Sequence, residues 1–271
     1  MSQTILITGT SSGIGKAAVR HFQSKGWNVA ATMRTPEKET ELTTLPNVEC
    51  LRLDVTVPES VRDGIARAIK RFGKIDAVVN NAGYGLIGAF ELATHEQIRR
   101  QFETNVLGVM DVTQAILPHF RENRSGTIVN VASLSGRVSF PLFSLYHATK
   151  WAVEGFSESL QHELKPFNIH MKIIEPGIVK TEFDGRSKDM THSDTLQAYD
   201  KYVNKIIKRI MGFYRWGTTA EHVAEVIFKA TTDSSSRLRY SVGIDANTLL
   251  LLRRFVPDSI FNGTINKSLT L

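Results

Sequence analysis

The chain has 271 residues, 42% of them hydrophobic and 22% charged, with a formal net charge of +6. That length and balance suit one large α/β domain with a substantial core. The positive residues are dispersed, without the clustered footprint of a nucleic-acid-binding face, which argues against nucleic acid as a partner. Cys50 is the only cysteine, so an intrachain disulfide and a cysteine-rich metal site are both ruled out, and no metal is expected. In Val48-Glu-Cys-Leu-Arg-Leu53 it reads as a small core residue rather than a reactive thiol. Met1-Ser-Gln-Thr leads straight into Ile5-Leu-Ile7 with no secretory leader pattern. The longest purely apolar run, Leu249 to Leu252, falls far short of the ~20 residues that span a bilayer. The expectation is a cytoplasmic protein.

Thr4 to Thr8 is a short β-rich run entering Gly9-Thr-Ser-Ser-Gly13-Ile-Gly15, and Lys16 to Lys25 then reads as a helix stopped by Gly26. Strand, glycine turn and helix in that order form the first unit of a dinucleotide-binding (Rossmann-type) fold. Glycines let the backbone approach a pyrophosphate, and the N–H groups of the helix start attract it. The spacing G-x-x-x-G-x-G differs from the commoner G-x-G-x-x-G, and a glycine-rich turn without ligand is the bland alternative. A second strand, Asn28 to Met33, ends at Arg34 where a carboxylate would grip a ribose 2′-hydroxyl. The planar fork of Arg34 suits a 2′-phosphate instead. The expected cofactor is therefore NADP(H) rather than NAD(H), unless Arg34 is simply a solvated residue before a helix start at Thr35-Pro36.

Val48 to Leu53 is a third strand ending at Asp54-Val55. Thr56-Val-Pro-Glu59 reads as a capping box opening a helix to about Phe72. Ile75 to Val79 is a continuously apolar fourth strand, as expected when both faces of a sheet are covered, and it runs into Asn80-Asn-Ala-Gly83. Strand and helix alternating at this length predict a doubly wound parallel sheet of about seven strands with helices on both faces. Ligands gather at the carboxyl ends of such strands, where Gly15, Arg34, Asp54 and Asn80 all fall.

Thr94-His-Glu-Gln97 is another capping box, leading into a long helix that carries Asn105. Asparagine is mildly unfavourable inside a helix, so it invites a reason, if only a bond to neighbouring backbone. Gly126 to Ala132 is the fifth strand and ends at Ser133. Tyr146 then opens a helix to about Lys165. In a helix Tyr146 and Lys150 share one face, and a nearby ammonium lowers the phenol's ordinary pKa of ~10 toward a useful range.

These residues together resemble the short-chain dehydrogenase/reductase family: Thr8-Gly-Thr-Ser-Ser-Gly-Ile-Gly15, Asp54, Asn80-Asn-Ala-Gly83, Asn105, Ser133, Tyr146, Lys150 and Pro176-Gly-Ile-Val-Lys-Thr181. The tail from about Thr218 to Phe261, with Arg239-Tyr-Ser-Val-Gly-Ile-Asp-Ala246, is similar to the branch containing 17β-hydroxysteroid and retinol dehydrogenases. The resemblance implies a catalytic tetrad of Asn105, Ser133, Tyr146 and Lys150. Tyr146 would be the general acid-base and Ser133 would hydrogen-bond the reacting oxygen. Lys150 would tune the phenol and bind the nicotinamide ribose, and Asn105 would hold a relay water. It also implies that Gly9, Ser11, Ser12, Gly13, Ile14 and Gly15 bind the phosphates. Asp54, Val55, Asn80, Asn81, Ala82 and Gly83 would surround the adenosine, and Pro176, Gly177, Ile178 and Thr181 the nicotinamide carboxamide. His147 and His162 are assigned no catalysis.

Residues from about Phe183 to Trp216 break the α/β rhythm and match the family's substrate lid, with Tyr199, Tyr202, Ile206, Ile207, Ile210 and Met211 at helical spacing. That stripe is either core or dimer packing, or a ligand contact. Phe140, Phe143, Leu86, Ile87 and Phe183 are candidate pocket walls, suited to a hydrophobic ketone or alcohol. Thr218-Thr-Ala-Glu221 should cap a helix to about Thr232, Arg239 to Val242 should be the last strand, and Ala246 to Phe255 an apolar helix. That helix begins an extension over about 244–271 that covers the pocket, packs in a dimer or rests on a membrane surface, the last being disfavoured by its brevity. The expectation is one domain over 1–271, acting as an NADP(H)-dependent carbonyl/alcohol oxidoreductase in a homodimer or homotetramer. The alternatives are a cofactor-binding regulator or scaffold without turnover, and a sugar-nucleotide epimerase or dehydratase.

Overall fold

The computed structural model describes residues 2–180, 188–191 and 196–270. The chain runs β1 (Thr4–Thr8), α1 (Gly13–Ser24), β2 (Asn28–Met33), β3 (Val48–Arg52), α2 (Pro58–Phe72), β4 (Ala77–Asn80) and β5 (Gly85–Ile87). It continues α3 (His95–Phe102), α4 (Gly108–Asn123), β6 (Gly126–Val131), α5 (Ser144–Leu164), β7 (Ile169–Pro176), β8 (Val179–Lys180) and β9 (Lys188–Met190). It ends with α6 (Asp200–Phe213), β10 (Thr218–Thr219), α7 (Ala220–Thr232), β11 (Arg239–Val242), α8 (Ile244–Phe255) and α9 (Asp258–Thr270). Seven of these strands form one parallel sheet in the order β11-β7-β6-β4-β1-β2-β3. This is the doubly wound Rossmann-type architecture expected. β8 pairs with β10, and β5 with β9, as two small parallel additions.

Alternation along each central strand feeds two cores. Ile5, Ile7, Val29, Ala31 and Val79 pack with α1 and α7 on one face. Leu6, Ala30, Val78 and Ile128 pack with α2, α4 and α5 on the other. Side chains of a strand point alternately to opposite faces, so a strand covered on both sides is apolar at every position. The order of strands reverses between β1 and β4, and the crevice there is where ligands bind in this architecture.

Four local expectations need correction. Thr56 does not cap α2: Val57 holds the N-cap position without a side-chain bond. The Thr56 hydroxyl instead donates to Asp54 Oδ1 at 2.8 Å, while Ser60 Oγ accepts the Asp54 N–H at 3.0 Å. The cap of α7 is Thr219, which accepts from the His222 N–H at 3.2 Å, one position later than expected. Thr35-Pro36 opens only a three-residue 3-10 turn over Pro36–Lys38. The capping box at Thr94 and Gln97 is present, but its long helix is interrupted by a π-helical turn over Glu103–Leu107 before α4.

The extension folds as two helices, α8 and α9, joined to the segment after Ser133 through buried Leu134, Val138, Ala246, Leu250 and Phe261. No described helix is long and apolar enough to cross a membrane.

Candidate active site

One crevice of about 1190 Å³ runs along the carboxyl ends of the strands. That exceeds the ~300–1,000 Å³ of a typical small-molecule site, leaving room for a nucleotide and a second molecule. Its walls include Gly9, Ser11, Ser12, Gly13, Ile14, Arg34, Asp54, Val55, Asn81, Ala82 and Gly83 from the first half of the chain. From the second half they include Ser133, Phe140, Phe143, Tyr146, Lys150, Pro176, Gly177 and Ile178. Most of the expected site residues, scattered through the sequence, line this one crevice; Gly15, Asn80 and Asn105 are not among its walls. Thr181 and Phe183 lie outside the described residues.

At the nucleotide end, Gly9 adopts φ +69° and packs on Ala82, where a Cβ would sit 2.8 Å from the Ala82 Cα. A Cβ on Gly15 would lie 2.3 Å from the Gly9 carbonyl oxygen. The turn therefore folds back tightly on itself and turns the start of α1 into the crevice. Ser12 makes no side-chain capping bond and the first turn carries no acidic residue. Its N–H groups and the helix dipole suit an anion. Asn81 secures the turn by donating from Nδ2 to the Thr8 and Gly9 carbonyls at 2.9 and 3.1 Å. Arg34 is exposed on the crevice wall at the exit of β2, with no hydrogen bond or ion pair among the described residues. Backbone donors, a dipole end and a poised guanidinium are the donor set a phosphorylated nucleotide requires.

Asn80 does not reach this wall. It is 3% exposed and donates to Thr113 Oγ1 at 3.2 Å and Asn130 Oδ1 at 2.8 Å. Neighbouring residues at a strand end face opposite ways, so Asn81 lines the crevice while Asn80 stitches β4 to β6 and α4. Leu86 is likewise buried behind the wall that Ile87 forms.

At the other end, the Tyr146 and Ser133 hydroxyls are hydrogen-bonded to each other. Ser133 Oγ also accepts from the Ser135 N–H at 3.1 Å, which fixes its rotamer at the exit of β6. Lys150 lies one turn beyond Tyr146, its Nζ 5.7 Å from the centre of the phenol ring. Nζ donates to the Val131 carbonyl at 2.8 Å, leaving two of its three donors for other partners. Burial pushes the Tyr146 phenol up to about 12, against the Ser133 hydrogen bond. Burial also draws the Lys150 ammonium down to about 8, with Glu154 acting the other way. The phenol thus stands above its ordinary value and not below it, because excluding water penalises phenolate more than the Ser133 hydrogen bond favours it.

Asn105 sits in the π turn, 2% exposed. Its Oδ1 accepts from the Tyr84 N–H at 3.1 Å, and Nδ2 donates to the Tyr84 carbonyl and Thr149 Oγ1 at 2.9 and 3.2 Å. The polar residue in a helix is there to bind the loop after β4 to α5. His147 accepts the Phe140 N–H at Nε2 (3.0 Å), so Nδ1 carries the proton and donates to the Ser135 carbonyl at 2.8 Å. It braces the 135–140 loop.

Beneath Lys150, Glu154 and Glu175 are buried with Arg239 and Arg137, at 2.9 and 3.2 Å respectively. Glu154 Oε1 has no hydrogen-bond partner among the described residues. Sequence reasoning missed this cluster, along with Leu134, Val179, Asp245 and the α9 residues that line the crevice. Only the α9 pairs Thr264/Ser268 and Ile265/Leu269 carried a readable helical spacing.

Residues 3–192 match the short chain dehydrogenase family model. The chain belongs to the short-chain dehydrogenase family. It is 38% identical over 242 residues to an uncharacterized oxidoreductase of Schizosaccharomyces pombe, covering 88% of this chain and 100% of that one. The crystal structure of a short-chain dehydrogenase from Streptomyces avermitilis matches with a TM-score of 0.84 at 33% identity, over 98% and 96% of the two chains. ElxO with NADP bound matches at 0.76 and 28% identity, over 92% and 100%. A 3-ketoacyl-(acyl-carrier-protein) reductase from Brucella melitensis complexed with NADH matches at 0.75 and 25%, over 89% and 96%. The protein is accordingly an oxidoreductase of the short-chain dehydrogenase type, whose family acts on CH–OH and C=O groups.

Proposed function

We propose that the protein uses NADP(H) to interconvert a hydrophobic ketone or aldehyde and its alcohol. The observation that carries this reading is the hydrogen-bonded pair of hydroxyls, Tyr146 and Ser133, beside Lys150 in the crevice. When bound, the nicotinamide supplies or accepts the hydride. The turn from Gly9 to Gly15 would hold its phosphates, Asp54, Val55, Asn81, Ala82 and Gly83 its adenosine, and Pro176, Gly177, Ile178 and Thr181 its carboxamide. ElxO holds NADP and the Brucella enzyme NADH, so the preference for NADP(H) rests on Arg34 and the lack of a carboxylate at the exit of β2.

In reduction Tyr146 gives its proton to the substrate oxygen, and Ser133 donates a hydrogen bond to the same atom as negative charge develops. The two other donors of Lys150 would hold the nicotinamide ribose hydroxyls when the nucleotide is bound, and Lys150 would return a proton to the phenol. Asn105 holds the loop and α5 in register for that relay. Phe140 and Phe143 form the apolar wall around the substrate, and residues 196–216 contribute to its lid. The reading includes a cytoplasmic homodimer or homotetramer without metal, by analogy with the family.

The test follows nicotinamide absorbance with aliphatic, aromatic, steroid and retinoid carbonyls and each nucleotide. Consumption of NADPH that Tyr146→Phe abolishes is the expected result. Near-normal turnover in Tyr146→Phe removes the mechanism, and failure with every carbonyl favours a regulator or scaffold.

A further inference from the structure

The groove beyond Phe140 is built from two helices. On α6 and the turn after it, Ile207, Ile210, Met211 and Tyr214 all line the crevice. Their spacing, three, four and seven residues from the first, makes a single stripe along the helix about 10 Å long. On α9, Ile265, Ser268 and Leu269 line the same crevice, as does Leu249 of α8. The two helices pack together and are tied by Arg209, which donates from Nη1 to the Ser268 carbonyl at 2.8 Å. Ile265, Leu249 and Phe140 lean on one small core, so the apolar wall is continuous from the loop after Ser133 to α9. Asp245 is the single charged lining residue of these helices among the described residues; its Oδ2 accepts the Ile178 N–H at 2.7 Å and its Oδ1 is buried.

We infer that the substrate carries an unbranched hydrocarbon tail, which lies in the groove between α6 and α9. The α6 stripe runs about 10 Å along the helix and lines the same crevice as the apolar residues of α9, an extent that an extended hydrocarbon chain would follow. The uncharged lining excludes a tail ending in carboxylate or phosphate within the groove. The C-terminal extension thus acts as the wall that reads substrate length. This inference rests on the carbonyl/alcohol chemistry proposed above.

The experiment measures kcat/KM with NADPH for propanal, hexanal, decanal and tetradecanal, and for a fused-ring ketone. Each methylene buried in the groove should raise kcat/KM about three- to fourfold until the groove is filled. Ser268→Phe, at an exposed position that tolerates a larger side chain, and Ile265→Phe should each lower the decanal-to-propanal ratio at least about tenfold by occupying the tail's space. A second readout is Trp216, 72% exposed on the crevice wall. Its fluorescence, taken as the difference from Trp216→Phe, should respond saturably to decanol and not to propanol, with weaker affinity in Ser268→Phe. A flat profile with propanal still reduced, or a fused-ring ketone preferred over decanal, overturns the tail and leaves the reaction standing. No aldehyde reduced, but decanol binding as described, overturns the reaction and leaves the groove.

Discussion

The hydroxyl of Tyr146, on α5, is hydrogen-bonded to the hydroxyl of Ser133, at the exit of β6. Two hydroxyls that meet can converge on one substrate oxygen. Tyr146→Phe should lower kcat about 10²–10⁴-fold and Ser133→Ala about 10²-fold. The double variant should lose little more than Tyr146→Phe, because groups acting on one atom are not additive. Fully multiplicative losses would mean that the hydroxyls serve different atoms.

Arg34 stands exposed on the nucleotide wall. Charge-assisted hydrogen bonds contribute about 1.5–3 kcal/mol, so Arg34→Asp should raise the Kd for NADPH about tenfold or more and leave that for NADH little changed. Fluorescence titration of both nucleotides checks this. Equal losses would show that Arg34 does not meet the 2′-phosphate.

The pH dependence of the two directions should differ. Burial holds the Tyr146 phenol at about 12, so it is protonated across neutral pH and ready as the acid for reduction. Oxidation needs the phenolate. Alcohol oxidation should therefore rise with pH while carbonyl reduction does not, as initial rates at saturating nucleotide will record.

Glu154 has its own signature in stability. Burial and the neighbouring Glu175 raise it from 4.5 to about 7, against Arg239. Between those values the folded chain holds a proton that the unfolded chain has released, so the Glu154 contribution to stability falls as pH rises through the window. Glu154→Gln removes the buried charge. Its Tm relative to the parent should be higher at about pH 8 than at about pH 5, and a constant difference would refute the assignment.

Asn105 serves three bonds at once. Asn105→Ala leaves the Tyr84 N–H without this partner, while the Tyr84 carbonyl keeps the Gln101 Nε2 donor at 2.9 Å, so the cost should be about 1–3 kcal/mol for the one group left unsatisfied. Urea unfolding measures it directly.

Much of this architecture was legible along the chain, for local reasons. Alternating apolar strands and amphipathic helices announced the parallel sheet, and Tyr146 and Lys150 shared a face because a helix repeats locally. Where the reading slipped, the deciding contact came from elsewhere. Asn80 and Asn81 are identical in sequence, and only the partners Thr113 and Asn130 on one side and Gly9 on the other separate their tasks. Thr56 left its expected cap because Asp54 lay within reach. The α6 stripe divided as its surroundings required: Ile206 is fully buried, while Ile207, Ile210 and Met211 face the crevice.

By itself the sequence determined the doubly wound sheet and the order of the residues at its strand ends, since these depend on short-range periodicity and turn chemistry, and the resemblance of its motifs pointed to the family. Only the tertiary structure decided that the phenol would be raised rather than lowered, and that α8 and α9 would close over the loop after Ser133. Those outcomes depend on which surfaces exclude water from which groups, and that is set by segments distant in the chain meeting in space.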